Sequence, residues 1–404
     1  MHPDFNALTS QRFRADPFPI LAALRQEGSV HRFEGGLKPS WHVLDHATAR
    51  EVLLDPDRFS SDRSLATSDK AAGDLNLSFL FNNLISATGE KHRRLRMIGN
   101  RVFMPKFVER FRAPIETMVD ARLDAIVGAG PIDLVEDFAA PITVGMITAI
   151  LGLPLRDMPK IRAWSQVLGE NSGAITWMRR VDPEMAERGR QTGQAMTAYF
   201  SDYIEERVRA PRDGDLISAF LNLEVEGTRL NRDEVLSMAM LLLLAGNETT
   251  TFLITNAVRM MVAHPDQTEK MRRDPASVPA FVEEVLRQHG SIRNIDRFAT
   301  KDLVLGGVDI PAGGQVVVWL ASANRDKGEF PDPESFDMTR SPNRHFAFGQ
   351  GMHFCLGAPL ARLEADLALR RLLARTRGIQ LQGQAILGPN ASFGSVVRQM
   401  ALFT

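Results

Sequence analysis

Phe348-Gly349-Gln350-Gly351-Met352-His353-Phe354-Cys355-Leu356-Gly357 holds the only cysteine among 404 residues. A lone cysteine is ordinarily a small buried hydrophobe, but its neighbours here argue for chemistry. Glycines permit positive φ and let a flat ligand come close to the main chain. Residues 358–369 read as an amphipathic helix with Pro359 in its first turn, where a missing N–H costs little. A cysteine just ahead of a helix N-terminus meets free N–H groups and the positive end of the dipole, and both favour the thiolate. A thiolate beside room for a planar group fits haem held by cysteine.

Composition narrows the field around this loop. Lys+Arg is 48 and Asp+Glu is 49, so no global field points to nucleic acid or an anionic membrane. One cysteine excludes an internal disulfide. The N-terminal stretch has no basic-plus-apolar leader pattern, and the apolar run 238–246 falls short of the ~20 residues of a membrane span. A cytoplasmic, monomeric protein is the expectation.

Asn231 and Glu234 form a capping-box pattern at the start of a helix that runs to His264. A helix of about 33 residues would be about 50 Å long and cross a whole domain. Residues 241–246 are apolar on every face and therefore buried. Asn247, Glu248, Thr249, Thr250 and Thr251 then break the pattern, and such local conflict often marks a functional site. The threonine hydroxyls could simply bond back to carbonyls one turn earlier. Alternatively, Ala245 and Gly246 leave room beside the helix, and Glu248 and Thr249 could relay protons there.

The decapeptide around Cys355 resembles the haem-binding signature of the cytochrome P450 family, F-G-x-G-x-H-x-C-x-G, at every fixed position. Ala245-Gly246-Asn247-Glu248-Thr249-Thr250 is similar to that family's oxygen-activation motif, and Glu284-Val285-Leu286-Arg287 to its E-x-x-R motif. The resemblance implies one mainly α domain over residues 1–404 with a small β-rich region near 30–45, 303–320 and 378–404. A long central helix would cross over the cofactor, haem b (iron protoporphyrin IX).

It further implies Cys355 as the iron ligand, with Phe348, Gly349 and Gly357 shaping the loop and Ala245 lying beside the haem. His92, Arg96, Arg297 and His353 would hold the propionates. The run Lys91-His92-Arg93-Arg94-Leu95-Arg96 could otherwise be a solvated helix face. Glu248 is implied as the acid and Thr249 as the oxygen-side hydroxyl. Glu284, Arg287 and Arg340 would form a structural triad. Two departures stand out: Gly89-Glu90-Lys91 replaces the family's frequent Asp-Pro-Pro, and Ser291-Ile292 replaces Pro-Val. Arg293 beside the latter is expected to point to solvent or a propionate, or else to anchor a polar group of a substrate.

The implied activity inserts one oxygen atom of O2 into a small apolar organic substrate, by hydroxylation or epoxidation. Phe79, Phe81, Leu242, Ala245, Ile295 and Phe393 are the candidate pocket residues. The chain has no flavin or iron–sulfur segment, so electrons must come from outside, and the resemblance to soluble bacterial members implies a ferredoxin with its reductase as the donor. Arg93, Arg94, Lys106, Arg110 and Arg112 are the candidate docking face. Two other readings are a peroxide-driven oxygenase, whose members tend to lack the acid–alcohol pair, and a haem-based binding or sensor protein. The reduced CO complex of the protein should show a thiolate-type Soret band, and Cys355→His should abolish it. An unchanged band in that variant would remove Cys355 as the ligand.

Overall fold

The computed structural model describes residues 8, 10–34, 38–65, 83–176 and 182–404, with backbone only for 170–176. Phe79, Phe81 and the stretch 177–180 lie outside the described residues. Helices α1 (Gln11–Ala15) and α2 (Phe18–Glu27) lead to strands β1 (Val30–Phe33) and β2 (Ser40–Val43). Helix α3 (His46–Leu54) and strand β3 (Phe59–Ser60) follow. Asp45 starts α3 by accepting the Thr48 N–H at 2.9 Å, which satisfies one of the free donors at a helix N-terminus.

The helical part comprises α4 (Gly89–Val102), α5 (Pro105–Glu109), α6 (Arg112–Ile126), α7 (Ala140–Ile150), α8 (Met158–Thr176), α9 (Pro183–Arg209) and α10 (Leu216–Asn222). It continues through α11 (Arg232–Ala263), α12 (Pro265–Arg273) and α13 (Val278–His289). Periodicity suggests one helix over 136–152, yet a π-helical turn, Leu134–Ala139, precedes α7. Pro141 in the first turn of α7 cannot donate to a carbonyl one turn back, and the widened turn absorbs that loss. The less regular pattern from Ser165 to Glu187 suggests a helix–loop–helix connection; α8 runs to Thr176 and α9 starts at Pro183, with 177–181 outside the described residues. Pro265 ends α11 as expected, and it also opens α12 from the first-turn position that proline favours.

Helix α11 organises the interior. Its capping box is complete: Glu234 N–H donates to Asn231 Oδ1, and Asn231 N–H donates to Glu234, both at 2.9 Å. It packs against α7, α8, α9, α13 and the later helix α15 (Ala358–Arg375). By length and composition α11 could cross a membrane, but its apolar stretch is buried inside the protein.

Strands β5 (Ile295–Ala299), β6 (Leu303–Leu305), β7 (Val308–Ile310) and β8 (Gln315–Val318) precede the short helix α14 (Leu320–Ala323). One sheet has the order β1-β2-β8-β5-β3, with only the β2–β8 pair parallel. Leu305 pairs with Val308 across Gly306 and Gly307, both at positive φ, the conformation a two-residue hairpin turn demands. After α15, strands β9 (Ile379–Leu387) and β10 (Val396–Phe403) join β4 (Ile132–Asp133) in a second sheet. These two are long strands rather than the short ones the pattern at 378–404 suggests.

The irregular segment between α14 and α15 is held from α13. Arg287 Nε and Nη2 grip Glu284 at 2.8 and 2.6 Å, with both side chains fully buried. Arg287 then donates to the carbonyls of Asn324, Pro333 and Ser335. Glu284 also accepts the Asp337 N–H at 3.0 Å, Asn343 Nδ2 at 3.1 Å and Arg340 Nε at 3.3 Å. Arg340 in turn caps the carbonyls of Pro331, Asp332 and Ser335. The expected triad is therefore one network that fixes the path into the cysteine loop. Removing one partner of a buried pair costs about 3–5 kcal/mol. Arg287→Ala should lower the unfolding free energy from urea titration by an amount of that size, with a lower midpoint, and Arg287→Lys should not restore it, because an ammonium cannot fork across a carboxylate. An unchanged midpoint would contradict this role.

Candidate active site

The cysteine loop takes its shape from glycines and a closing hydrogen bond. Cys355 N–H donates to the Phe348 carbonyl at 2.9 Å. Gly349 and Gly351 have φ of 69° and 74°, and a Cβ at Gly351 would come within 2.5 Å of the Leu53 carbonyl oxygen. Gly351 is thus required both for its dihedral and for its contact with α3. Gly357 differs, because a Cβ there would meet nothing within 4 Å. Burial pushes the Cys355 thiol up, while the Gly357 and Ala358 backbone N–H groups and the charges of Arg96 and Arg362 pull it down. The net direction is upward, against what the helix N-terminus alone suggests. A coordinating metal deprotonates such a thiol outright.

Four basic groups named from the sequence come together beside this loop. The His92 and His353 rings lie 4.4 Å apart. Burial, followed by the charges of Arg297, His92 and Arg96, drives His353 down to about 3. Burial likewise lowers Arg297, to about 10, although Asp296 partly opposes it. Arg297 Nη1 donates to the Asp296 carbonyl at 2.8 Å, and the Asp296 carboxylate is itself paired with Arg63 at 2.8 Å. His92 Nε2 is buried without a hydrogen-bond partner. Arg96 Nη1 donates to the Phe354 carbonyl at 2.5 Å, so it ties α4 directly to the cysteine loop.

These groups lie within electrostatic reach of one another, and burial acts against the charge on each. A guanidinium stays charged when buried, and a buried charge is costly until it is paired. The two propionates of haem are the partners this cluster fits. Guanidinium and imidazole donors match carboxylates in both charge and geometry.

On α11, Ala245 is the one exposed position between Val235 and Met261. A helix otherwise enclosed by the core opens there. Thr249 Oγ1 donates to the Ala245 carbonyl at 2.6 Å, so the back-bond weighed from the sequence forms. It also holds the hydroxyl next to the exposed alanine. Ser291 Oγ donates to the Thr249 carbonyl at 2.6 Å. Glu248 lies against α8, where a Cβ on Gly169 would meet its Oε2 at 2.6 Å. Asn247 Nδ2 donates to Ser165 Oγ at 2.9 Å, and Thr251 bonds Thr143 at 2.6 Å.

Among the pocket candidates, Leu242 is buried and Ile295 and Phe393 are half-buried. Phe393 pairs with Ile292 in an isolated bridge, and its ring is 6.2 Å from that of Phe252. Phe252 did not stand out in the sequence, although it lies on the α11 face of Ala245 and Thr249 at helical spacing. Arg293 departs from expectation: only 8% exposed, it directs its guanidinium at the Arg14 carbonyl, at 3.3 and 3.4 Å, rather than at solvent. The basic docking face is also narrower than its sequence suggests. Arg93 pairs with Glu90, Arg94 with Glu234 and Arg112 with Glu109, which leaves Lys106 and Arg110 exposed without an ion pair among the described residues.

Two contributions to the site had no signal in the sequence. Gly99 of α4 faces Leu356, and a Cβ there would come within 2.9 Å of Leu356 Cδ2. Glu283 accepts Arg362 Nε and Nη2 at 2.6 and 2.9 Å and contacts His345 Nε2 at 3.1 Å. Burial raises that carboxyl, but the bonds from Arg362 and His345 outweigh it and hold it at about 2. Arg362 also lies over the Phe348 ring, 4.6 Å from its centroid.

A cysteine at a helix N-terminus, a cluster of basic side chains beside it and a core helix that opens at Ala245 define a haem-thiolate class of protein. Comparison with known proteins agrees: the cytochrome P450 family model matches residues 5–397, and the chain belongs to that family. It is 38% identical over 398 residues to cytochrome P450 monooxygenase PikC of Streptomyces venezuelae, covering 96% of this chain and 91% of that one. It is 36% identical over 368 residues to the vitamin D(3) 25-hydroxylase of Pseudonocardia autotrophica, covering 91% and 88%. The solved structure of P450BioI, in complex with an acyl carrier protein bearing hexadec-9Z-enoic acid, superposes with a TM-score of 0.90 at 31% identity. That match covers 98% of this chain and all of the other. The chain is accordingly a monooxygenase, an oxidoreductase whose cofactor is haem b.

Charged hydrogen bonds are worth about 1.5–3 kcal/mol each. Arg297→Leu should therefore speed haem transfer to apomyoglobin by roughly ten- to a hundredfold. Transfer at the parent rate would remove Arg297 from the set that holds the cofactor.

Proposed function

We propose that the chain hydroxylates an apolar organic substrate, using O2 and electrons from a ferredoxin-type partner in the cytoplasm. In this reading Cys355 ligates the iron, and His92, Arg96, Arg297 and His353 take the propionates. Haem, when bound, supplies the oxygen activation, and its thiolate ligand favours O–O cleavage. The protein's part is to bind, orient and deliver protons. Thr249 Oγ1, held by the Ala245 carbonyl, presents a hydroxyl at the only opening in α11 between Val235 and Met261. Glu248, one residue earlier, is the acid that resupplies it. The oxygen atom that does not enter the substrate leaves as water with those protons.

The opening at Ala245, with Thr249 bonded beside it, is the observation that carries this reading over the peroxide-driven and sensor alternatives. An apolar substrate is supported by Leu242, Phe252, Ile295 and Phe393, and by relatives named for hydroxylating vitamin D(3) and 6-deoxyerythronolide B. Lys106 and Arg110 are the proposed contacts for an acidic redox partner.

Turnover supported by ferredoxin and reductase should exceed turnover with peroxide. Thr249→Ala should still consume reductant but form far less product, since positioned proton transfer is worth about 10²–10⁴-fold. Full coupling in that variant, or a preference for peroxide, would overturn the proton-delivery role.

A further inference from the structure

A cavity of about 660 Å³ lies behind the Ile292–Phe393 bridge, away from the cysteine loop. It is bounded by α2, α11, α13 and the β9–β10 strands. Its size falls in the range of small-molecule sites, about 300–1,000 Å³, but its lining does not suit an apolar guest. Arg259, Arg293 and Arg325 line it together with His289, and Asp16 is the only carboxylate in its wall. All three arginines and burial depress His289, to about 3, so the cations converge on one imidazole.

The three are not equally compensated. Arg325 pairs with Glu334, donates to the Gln288 carbonyl at 3.1 Å and lies over the Phe18 ring at 3.7 Å. Its Nε is nevertheless buried without a partner. Arg293 has only two long bonds, to the Arg14 carbonyl, and feels Asp16 at a distance. Arg259 has no carboxylate among the described residues. Its Nη1 donates to the neutral Asn256 Oδ1 at 3.3 Å, its Nε is buried and unpartnered, and burial alone acts on its charge. The C-terminal end of α11 favours one cation there, but it does not account for three in one cavity. Guanidinium groups cannot shed their protons to escape burial, so an external anion is what this wall lacks.

We propose that this cavity binds the carboxylate or phosphate group of a small organic anion, with Arg259 and Arg293 as its charge partners. Planar guanidinium forks suit either group. The site is separate from the haem, and it abuts the segment from Ser291 that bonds Thr249.

The test uses haem-loaded protein with inorganic phosphate, acetate and citrate, each compared with sodium chloride at equal ionic strength. The thermal midpoint should rise with the logarithm of anion concentration, as ligand binding to the native state requires. Phosphate acting alone would assign a phosphate-bearing ligand, and citrate or acetate acting alone a carboxylate. Arg259→Gln, on a half-exposed side chain, should weaken the response at least tenfold while leaving the reduced CO spectrum unchanged, and Arg259→Lys should retain part of it. Arg293→Gln should act likewise where it loads haem. No rise beyond the chloride control, or an undiminished rise in Arg259→Gln, would overturn the proposal.

Discussion

The Glu284–Arg287 pair is the constraint on which the site depends. Neither side chain has appreciable contact with solvent, so each charge needs its full complement of partners inside the protein. Glu284 finds them in Arg287, Arg340, Asn343 and the Asp337 backbone, and Arg287 in three carbonyls besides. Apart from the pair itself, each of these partners lies in the irregular segment ahead of Cys355. Two residues on one turn of α13 thus set the course of a chain that has little secondary structure of its own.

The same rule, applied elsewhere in the molecule, distinguishes scaffold from site. Where buried charge is saturated by the chain, as at Glu284, it holds structure together. Where it is not, a ligand is called for. Arg96 and Arg297 converge beside the neutral imidazoles of His92 and His353, the nearby Asp296 is shared with Arg63, and haem propionates fit that need. Arg259 and Arg293 repeat the arrangement on the other side of the Ile292–Phe393 bridge.

Much of this was legible in the sequence, for a reason that varies with distance along the chain. The capping box of α11, the Gly306-Gly307 hairpin and the glycine pattern around Cys355 depend on residues within a few positions of one another. Local chemistry decides such features. The resemblance to the family's E-x-x-R motif likewise implied Glu284, Arg287 and Arg340 as one triad. The direction of Arg293, the closeness of Gly99 to Leu356 and the fit of Glu248 against Gly169 depend on elements far apart in sequence. No periodicity encodes them. The end of α8 at Thr176 is not legible either, because its last turns carry small and polar residues that read equally well as a loop.

The segment from Ser291 to Arg297 joins the two sets of cations. Ser291 bonds the Thr249 carbonyl and receives the Gly394 N–H. Ile292 bridges Phe393, and Arg293 N–H donates to the Ser392 carbonyl. Arg293 then lines the second cavity, and Arg297, four residues on, joins the cluster beside Cys355. Backbone bonds at Ser392 and Gly394 hold this segment between the two sets of basic groups. The turn of α11 beside the opening at Ala245 is thereby tied, through Ser291 and Thr249, to a segment that carries a residue of each set.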